Sequence, residues 1–128
     1  ANAIAPRQAV TLNYLGYARI ERGERVEESR SMLERESRLS PNDPAITDSL
    51  GWAYFQLGEI ARAVPLLEKA AQAKPGDMTI NEHLGDAYWA QGRRYEARYA
   101  WRAAVVYADE ADVARISEKL LHGPAARD

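Results

Sequence analysis

Aromatic and acidic side chains that recur along this 128-residue chain are the residues best suited to binding chemistry. Trp52 follows Asp48 by four residues, and Trp89 follows Glu82 by seven. Large aromatic side chains are favoured anchors in protein interfaces, and neighbouring carboxylates favour basic or amine-bearing partners. The chemistry that this pattern indicates is the non-covalent binding of an apolar segment flanked by Lys or Arg.

Catalytic chemistry has little support in the sequence. The chain has no cysteine, and its two histidines, His83 and His122, lie far apart. No nucleophilic thiolate, clustered zinc ligands or phosphate-cradling glycine loop is therefore indicated. We predict that the protein is not an enzyme, has no catalytic residues and binds no metal or cofactor. His83 is expected to be a binding contact at most.

A stripe of arginines is the second chemical signal. Arg94, Arg98 and Arg102 recur at i, i+4 and i+8, with Tyr95 and Tyr99 beside them, a pattern that nucleic acid could use. The alternative is a solvated face whose arginines pair with nearby acids. Seventeen Lys and Arg against nineteen Asp and Glu give a net charge of -2, which favours the alternative. We therefore expect no nucleic-acid partner.

The sequence also bears on whether the chain spans a membrane and on its cellular compartment. The longest strictly apolar run, residues 103–108, is far shorter than a bilayer requires, so no membrane span is expected. The chain begins Ala1-Asn2-Ala3 without a targeting signal, which favours a piece of a longer protein. The compartment is therefore left open.

An internal repeat defines the elements that must position these side chains. Three pairs of glycines, each pair separated by seven residues, recur at intervals of 35 and 34 residues: Gly16 and Gly23, Gly51 and Gly58, Gly85 and Gly92. A leucine precedes the first glycine of every pair. Self-similarity at a fixed period is typical of repeat architectures, so three copies of one unit fill most of the chain.

Each unit is predicted to contain two antiparallel helices. In the second unit, residues 50–54 carry a narrow apolar stripe, and residues 63–70 carry another at i, i+4 and i+7. The second glycine of each pair permits a left-handed C-cap at the turn between them. Pro65 falls inside the second helix and predicts a bend. A further apolar stripe over residues 113–120 predicts a terminal capping helix.

These residues resemble the pattern of the tetratricopeptide repeat family, which has Leu-Gly, Tyr, Ala, a large apolar residue and Pro. The second unit matches best, with Leu50, Gly51, Tyr54, Ala63, Leu67 and Pro75. The third unit has Asp109 in place of Pro, and the first has Arg19 in place of Tyr. The chain resembles the C-terminal repeats of larger bacterial members of the family.

The resemblance implies an all-α fold, a right-handed α-solenoid of three helix-turn-helix units with a C-terminal capping helix. We expect a lead-in over residues 1–8, a single domain over residues 9–122 and a tail over residues 123–128. Within the domain, the expected units cover about 9–43, 44–77 and 78–108, and the capping helix covers about 109–122.

Members of this family are generally adaptors whose first helices line a concave groove for a peptide, loop or helix of another protein. Helical spacing places one set of side chains on or beside that face. The set is Asn13, Tyr17, Asp48, Trp52, Phe55, Gln56, Glu82, His83, Asp86 and Trp89. We predict a non-catalytic protein-binding module with an aromatic and mildly acidic groove. Packing is the stronger interpretation for Phe55, whereas binding and packing are equally favoured for Trp52 and Trp89.

The sequence also bears on two other kinds of partner. Self-association through the exposed end of the array is an alternative, which would make the protein a homo-oligomer. One subtype of the family binds acidic chaperone tails through a clamp of Lys, Arg and Asn. Here Tyr17, Ser49, Thr79 and His83 occupy positions where that clamp would need Asn, Asn, Lys and Arg. Chaperone-tail binding is therefore disfavoured.

Overall fold

A computed structural model of the chain describes residues 25–125. Over that range the chain forms six helices and no strand: α1 (Val26–Leu39), α2 (Pro44–Gln56), α3 (Ile60–Ala73), α4 (Met78–Ala90), α5 (Arg94–Val106) and α6 (Glu110–His122). The predicted all-α repeat fold and its capping helix, α6, are confirmed. Asn13 and Tyr17 lie outside the described residues. None of these six helices is both long enough and apolar enough to cross a bilayer.

An aspartate caps the start of α2, α4 and α6. The Asp43 side chain accepts hydrogen bonds from two backbone N–H groups of α2, at 2.9 and 3.3 Å. Asp77 and Asp109 each accept one at 3.0 Å, at the starts of α4 and α6. These bonds satisfy donors that a helix start leaves without intrahelical partners. The recurring aspartates therefore fix where α2, α4 and α6 begin.

Glycine allows the two helices of a unit to pack at close range. A Cβ atom on Gly51 would lie 2.9 Å from Cγ of Leu67, and one on Gly85 would lie 2.4 Å from Cδ1 of Trp101. Both distances are too short for a real side chain. Gly51 and Gly85 are therefore required for the close contact between α2 and α3 and between α4 and α5.

Two buried clusters run along the stack of helices. The larger one joins α1 to α5 and includes Leu33, Leu50 and Leu67. The smaller one consists of Ala97, Trp101, Ala104 and Ile116, so α6 closes the core over α5. Each helix packs mainly against its neighbours in sequence, with an additional contact between α2 and α4. The core is therefore extended along the array.

A hydrogen bond between tyrosine and glutamate recurs at successive unit boundaries. The Tyr54 hydroxyl donates to Glu34 at 2.6 Å, and the Tyr88 hydroxyl donates to Glu68 at 2.5 Å. The two bonds are related by the repeat interval of 34 residues. Burial raises the pKa of Tyr88 to about 12, and its bond to the Glu68 carboxylate adds to the shift. In the third unit the position of Glu34 and Glu68 is occupied by Arg102.

Candidate functional site

Helices α2, α4 and α6 surround a pocket of about 520 Å³, which we call the aromatic pocket. Its lining residues are Trp52, Phe55, Gln56, Asp86, Trp89, Ala90, Lys119, Pro124 and Ala125. Half of the ten residues predicted for the groove therefore meet at this pocket. Residues 124 and 125, which follow α6, form part of its wall.

Three rings form a continuous stack beside the pocket. The Trp52 indole lies 4.7 Å from the Phe55 ring and 3.9 Å from the His83 ring, and both pairs are nearly parallel. Trp52 is only 9% exposed. Within residues 25–125 its indole N–H has no acceptor. Trp52 and Phe55 thus contribute to packing while one edge of each lines the pocket.

His83 and Asp48 form a buried polar pair between neighbouring units. Nδ1 of His83 lies 3.0 Å from Oδ1 of Asp48 and 3.2 Å from Oδ2. Both side chains are buried. The pair links α4 to α2, which supports an interior role for His83. Over residues 25–125, no three His, Cys, Asp or Glu side chains are grouped as metal ligands would be.

Two of the predicted groove carboxylates form ion pairs with α6. Glu82 accepts hydrogen bonds from Arg115 and, at 2.7 Å, from Lys119. Asp86 accepts from Lys119 at 2.9 and 3.0 Å, and from the Trp101 indole at 3.1 Å. The acidity of the groove is therefore largely compensated by two cations that the groove prediction did not include. Helical spacing alone does not identify them, because they lie on a helix with its own periodicity.

The same ion pairs explain how these carboxyls are tuned. Burial on its own would raise the pKa of Glu82, but hydrogen bonds from Arg115 and Lys119 outweigh burial and hold the pKa below its ordinary value. For Asp86 burial prevails, and its pKa is raised despite the Lys119 charge. Lys119 therefore offsets only part of the effect of burial on Asp86, whereas Arg115 and Lys119 together outweigh the effect of burial on Glu82.

Trp89 connects the aromatic pocket with the arginine stripe on α5. The guanidinium carbons of Arg94 and Arg98 lie 4.6 and 5.4 Å from the centre of the Trp89 ring. No carboxylate of residues 25–125 lies within ion-pair distance of Arg94, Arg98 or Arg102. The expectation that these arginines pair with nearby acids is therefore wrong for the described part of the chain. Two of them stack on tryptophan instead.

Comparison with known proteins finds a family model that matches part of the chain, and solved structures with a similar fold. A family model described as tetratricopeptide repeat matches residues 48–77. A tetratricopeptide repeat-containing protein of Pseudomonas aeruginosa is 41% identical over 58 residues, which are 45% of this chain and 10% of that protein. The chain thus spans about a tenth of the length of this curated relative.

Two solved structures show the same fold at low sequence identity. PcrH, in complex with the chaperone binding region of PopB, superposes with a TM-score of 0.77 at 17% identity, covering 91% of this chain and 98% of PcrH. The first tetratricopeptide domain of Spaghetti, bound to an HSP90 peptide, gives a TM-score of 0.73 at 17% identity. That match covers 94% of this chain and 99% of the Spaghetti domain.

Proposed function

We propose that this chain, which is built from tetratricopeptide repeats, binds a segment of another protein in the aromatic pocket between α2, α4 and α6. The observation that carries the proposal is the convergence of Trp52, Phe55 and Trp89 on a pocket of about 520 Å³. This volume lies within the range of pockets that hold small ligands or a few side chains. The expected ligand is a peptide, loop or helix that inserts an apolar side chain.

The ion pairs of the groove define what a basic residue in the ligand contributes. Glu82 and Asp86 are already paired with Lys119, so a ligand lysine or arginine gains little direct affinity from them. Charges of this kind mainly influence the rate and orientation of encounter. We propose an apolar anchor with basic flanking residues, in which the anchor supplies most of the affinity.

Two proteins of the same fold provide an analogy for this mode of binding. PcrH is in complex with a region of PopB, and the Spaghetti domain is bound to an HSP90 peptide. An analogy of fold raises the expectation of a protein ligand without identifying it. The kind of ligand proposed for this chain is therefore inferred from the aromatic lining of its own pocket.

The test is to fill the pocket without removing a buried ring. Ala90 is exposed, lies at the end of α4 and lines the pocket, so Ala90→Trp places an indole at its entrance. Ala73→Trp is the matched control, because Ala73 is an exposed alanine at the end of α3 outside this pocket. Peptides selected from a random library against the wild-type domain are titrated into each variant by calorimetry.

We expect Ala90→Trp to weaken binding at least about tenfold, which corresponds to roughly 1.4 kcal/mol, and Ala73→Trp to leave it unchanged. Equal binding by both variants would move the site away from the aromatic pocket. Sedimentation of the wild-type domain tests the alternative, which is self-association. A dimer that dissociates on dilution, and that binds the peptide less well than the monomer does, would favour that alternative.

A further inference from the structure

Helix α5 carries a second surface, the arginine face, formed by Arg94, Arg98 and Arg102 with Tyr95 and Tyr99. We infer that this face docks an acidic segment of a partner protein. The ligand proposed for this face differs from that of the aromatic pocket, and the two surfaces meet at Trp89, on which Arg94 and Arg98 stack. Its residues surround a concavity of about 380 Å³ formed by the three arginines and Tyr95.

The repeat shows what this face does in the preceding unit. The positions of Arg94, Arg98 and Arg102 correspond to Ile60, Val64 and Glu68, each 34 residues earlier. Val64 is buried in the core that includes residues 84 and 87 of the next unit, and Glu68 accepts a hydrogen bond from Tyr88 of that unit. This face of the helix therefore serves as a stacking surface between units.

In the third unit the same stacking surface is basic and incompletely covered. Arg94 and Arg102 are exposed, and Arg98 is half-buried beside α6. Tyr95 is 93% exposed and Tyr99 is 76% exposed. Because arginines occupy the positions equivalent to Ile60, Val64 and Glu68, this face is not suited to packing against another apolar unit. It presents cations and aromatic rings instead.

The guanidinium groups are partly fixed before any partner binds. Arg98 donates from Nε to the carbonyl of Leu120 at 3.4 Å, and Arg94 stacks on Trp89. Groups held in position lose less conformational entropy on binding. Arginine also forms two parallel hydrogen bonds with a carboxylate, a geometry that lysine does not match. The face is therefore organised for carboxylates.

The size and setting of the face favour a protein segment over nucleic acid. Eight residues of helix separate the first arginine from the last, a length of about 12 Å. Strong nucleic-acid binders engage roughly 6–10 phosphates, and their domains are basic, whereas this chain has a net charge of -2. A short row of aspartate or glutamate side chains matches three arginines without requiring an extended basic surface.

The experiment measures fluorescence anisotropy at low salt with three labelled probes. They are a peptide of alternating glutamate and glycine, the corresponding glutamine peptide, and a mixed-sequence single-stranded DNA. The test variant is Arg94→Gln/Arg102→Gln, which spares Arg98 and its bond to α6. The control variant, Arg38→Gln/Lys74→Gln, removes the same charge from two exposed positions elsewhere. Circular dichroism verifies that both variants remain helical.

We expect the wild-type domain to bind the glutamate peptide and not the glutamine peptide. The test variant should lose roughly tenfold in affinity or more, as expected for two charge-assisted hydrogen bonds, while the control stays within about twofold. Equal losses in the two variants would show diffuse electrostatic attraction and overturn the site. Absence of glutamate-peptide binding overturns it as well. Tighter binding of DNA than of peptide, lost in the test variant, would reassign the face to nucleic acid.

Discussion

Gly85 is a residue at which two physical effects oppose each other. Alanine would improve helix propensity by about 1 kcal/mol, but its Cβ would lie 2.4 Å from both Cδ1 and Nε1 of Trp101. The indole is fully buried and donates a hydrogen bond to Asp86, so it has little freedom to move. Overpacking of this kind costs typically 1–3 kcal/mol and should prevail. We expect Gly85→Ala to lower the urea midpoint, measured by circular dichroism.

Gly76→Ala is the matched control for this prediction. Its Cβ would meet Tyr107 at 3.5 Å, an ordinary contact, and the free energy of unfolding should change little. Gly51→Ala should have an intermediate effect, because the nearest atom there, Cγ of Leu67, lies 2.9 Å away rather than 2.4 Å. A midpoint for Gly85→Ala at or above that of the wild type would show that the α4–α5 contact can separate at no cost.

The residues of the candidate site differ in how far the sequence could predict them. Trp52, Asp86 and Trp89 were placed together by helical spacing and the repeat, and all three line the aromatic pocket. Arg115 and Lys119 were not placed there, since they bond to Glu82 across 33 and 37 residues of chain. Periodicity relates residues within a helix or between equivalent positions of a repeat. It does not report contacts between a capping helix and the unit before it.

At the scale of elements, the helices follow closely from local signals. The glycine turns lie at positions that the sequence pattern already indicated, and the recurring aspartate caps fix where α2 and α4 begin. The tetratricopeptide family, predicted from the Leu-Gly interval, is supported by the family-model match at residues 48–77, and the all-α repeat fold is shared with PcrH. The tyrosine–glutamate bonds between units were not predicted, because each joins side chains 20 residues apart in different helices.

Pro65 is the local feature of α3 that carries a prediction. The helix runs unbroken from Ile60 to Ala73, with Pro65 inside it and exposed. The ring deprives the carbonyl four residues earlier, that of exposed Ala61, of its helical donor, at a cost of up to about 3 kcal/mol. Part of this cost is offset because proline also restricts the unfolded chain. We expect Pro65→Ala to raise the melting temperature, followed by circular dichroism.

Pro75→Ala provides the comparison for this variant. Pro75 lies between α3 and α4, outside any helix, so replacing it restores no helical hydrogen bond and should leave the melting temperature unchanged or slightly lower. A lower melting temperature for Pro65→Ala would mean that the stacking of α3 requires the geometry imposed by proline.

At the scale of the whole molecule, stability is expected to be distributed along the array. The helices pack mainly on their sequence neighbours, so each unit depends on the next one more than on distant ones. The last unit depends on α6 in two ways, through Ile116 in the buried cluster and through Lys119 at Glu82 and Asp86. Removing these contacts of α6 should therefore destabilise the last unit more than the units before it.

Lys119→Met tests this locality. The substitution keeps an apolar stem but removes the cation shared by Glu82 and Asp86, whose side chains are 9% and 11% exposed. Breaking a fully buried pair costs about 3–5 kcal/mol, and the partial exposure here reduces the expected loss to about 1–3 kcal/mol. Hydrogen exchange should accelerate in α4, α5 and α6 while α1, α2 and α3 keep their protection. Lys69→Met, which removes an exposed cation bonded to the carbonyl of Pro41, should leave the pattern unchanged. Uniform acceleration across all six helices would instead show that the described array unfolds as one cooperative unit.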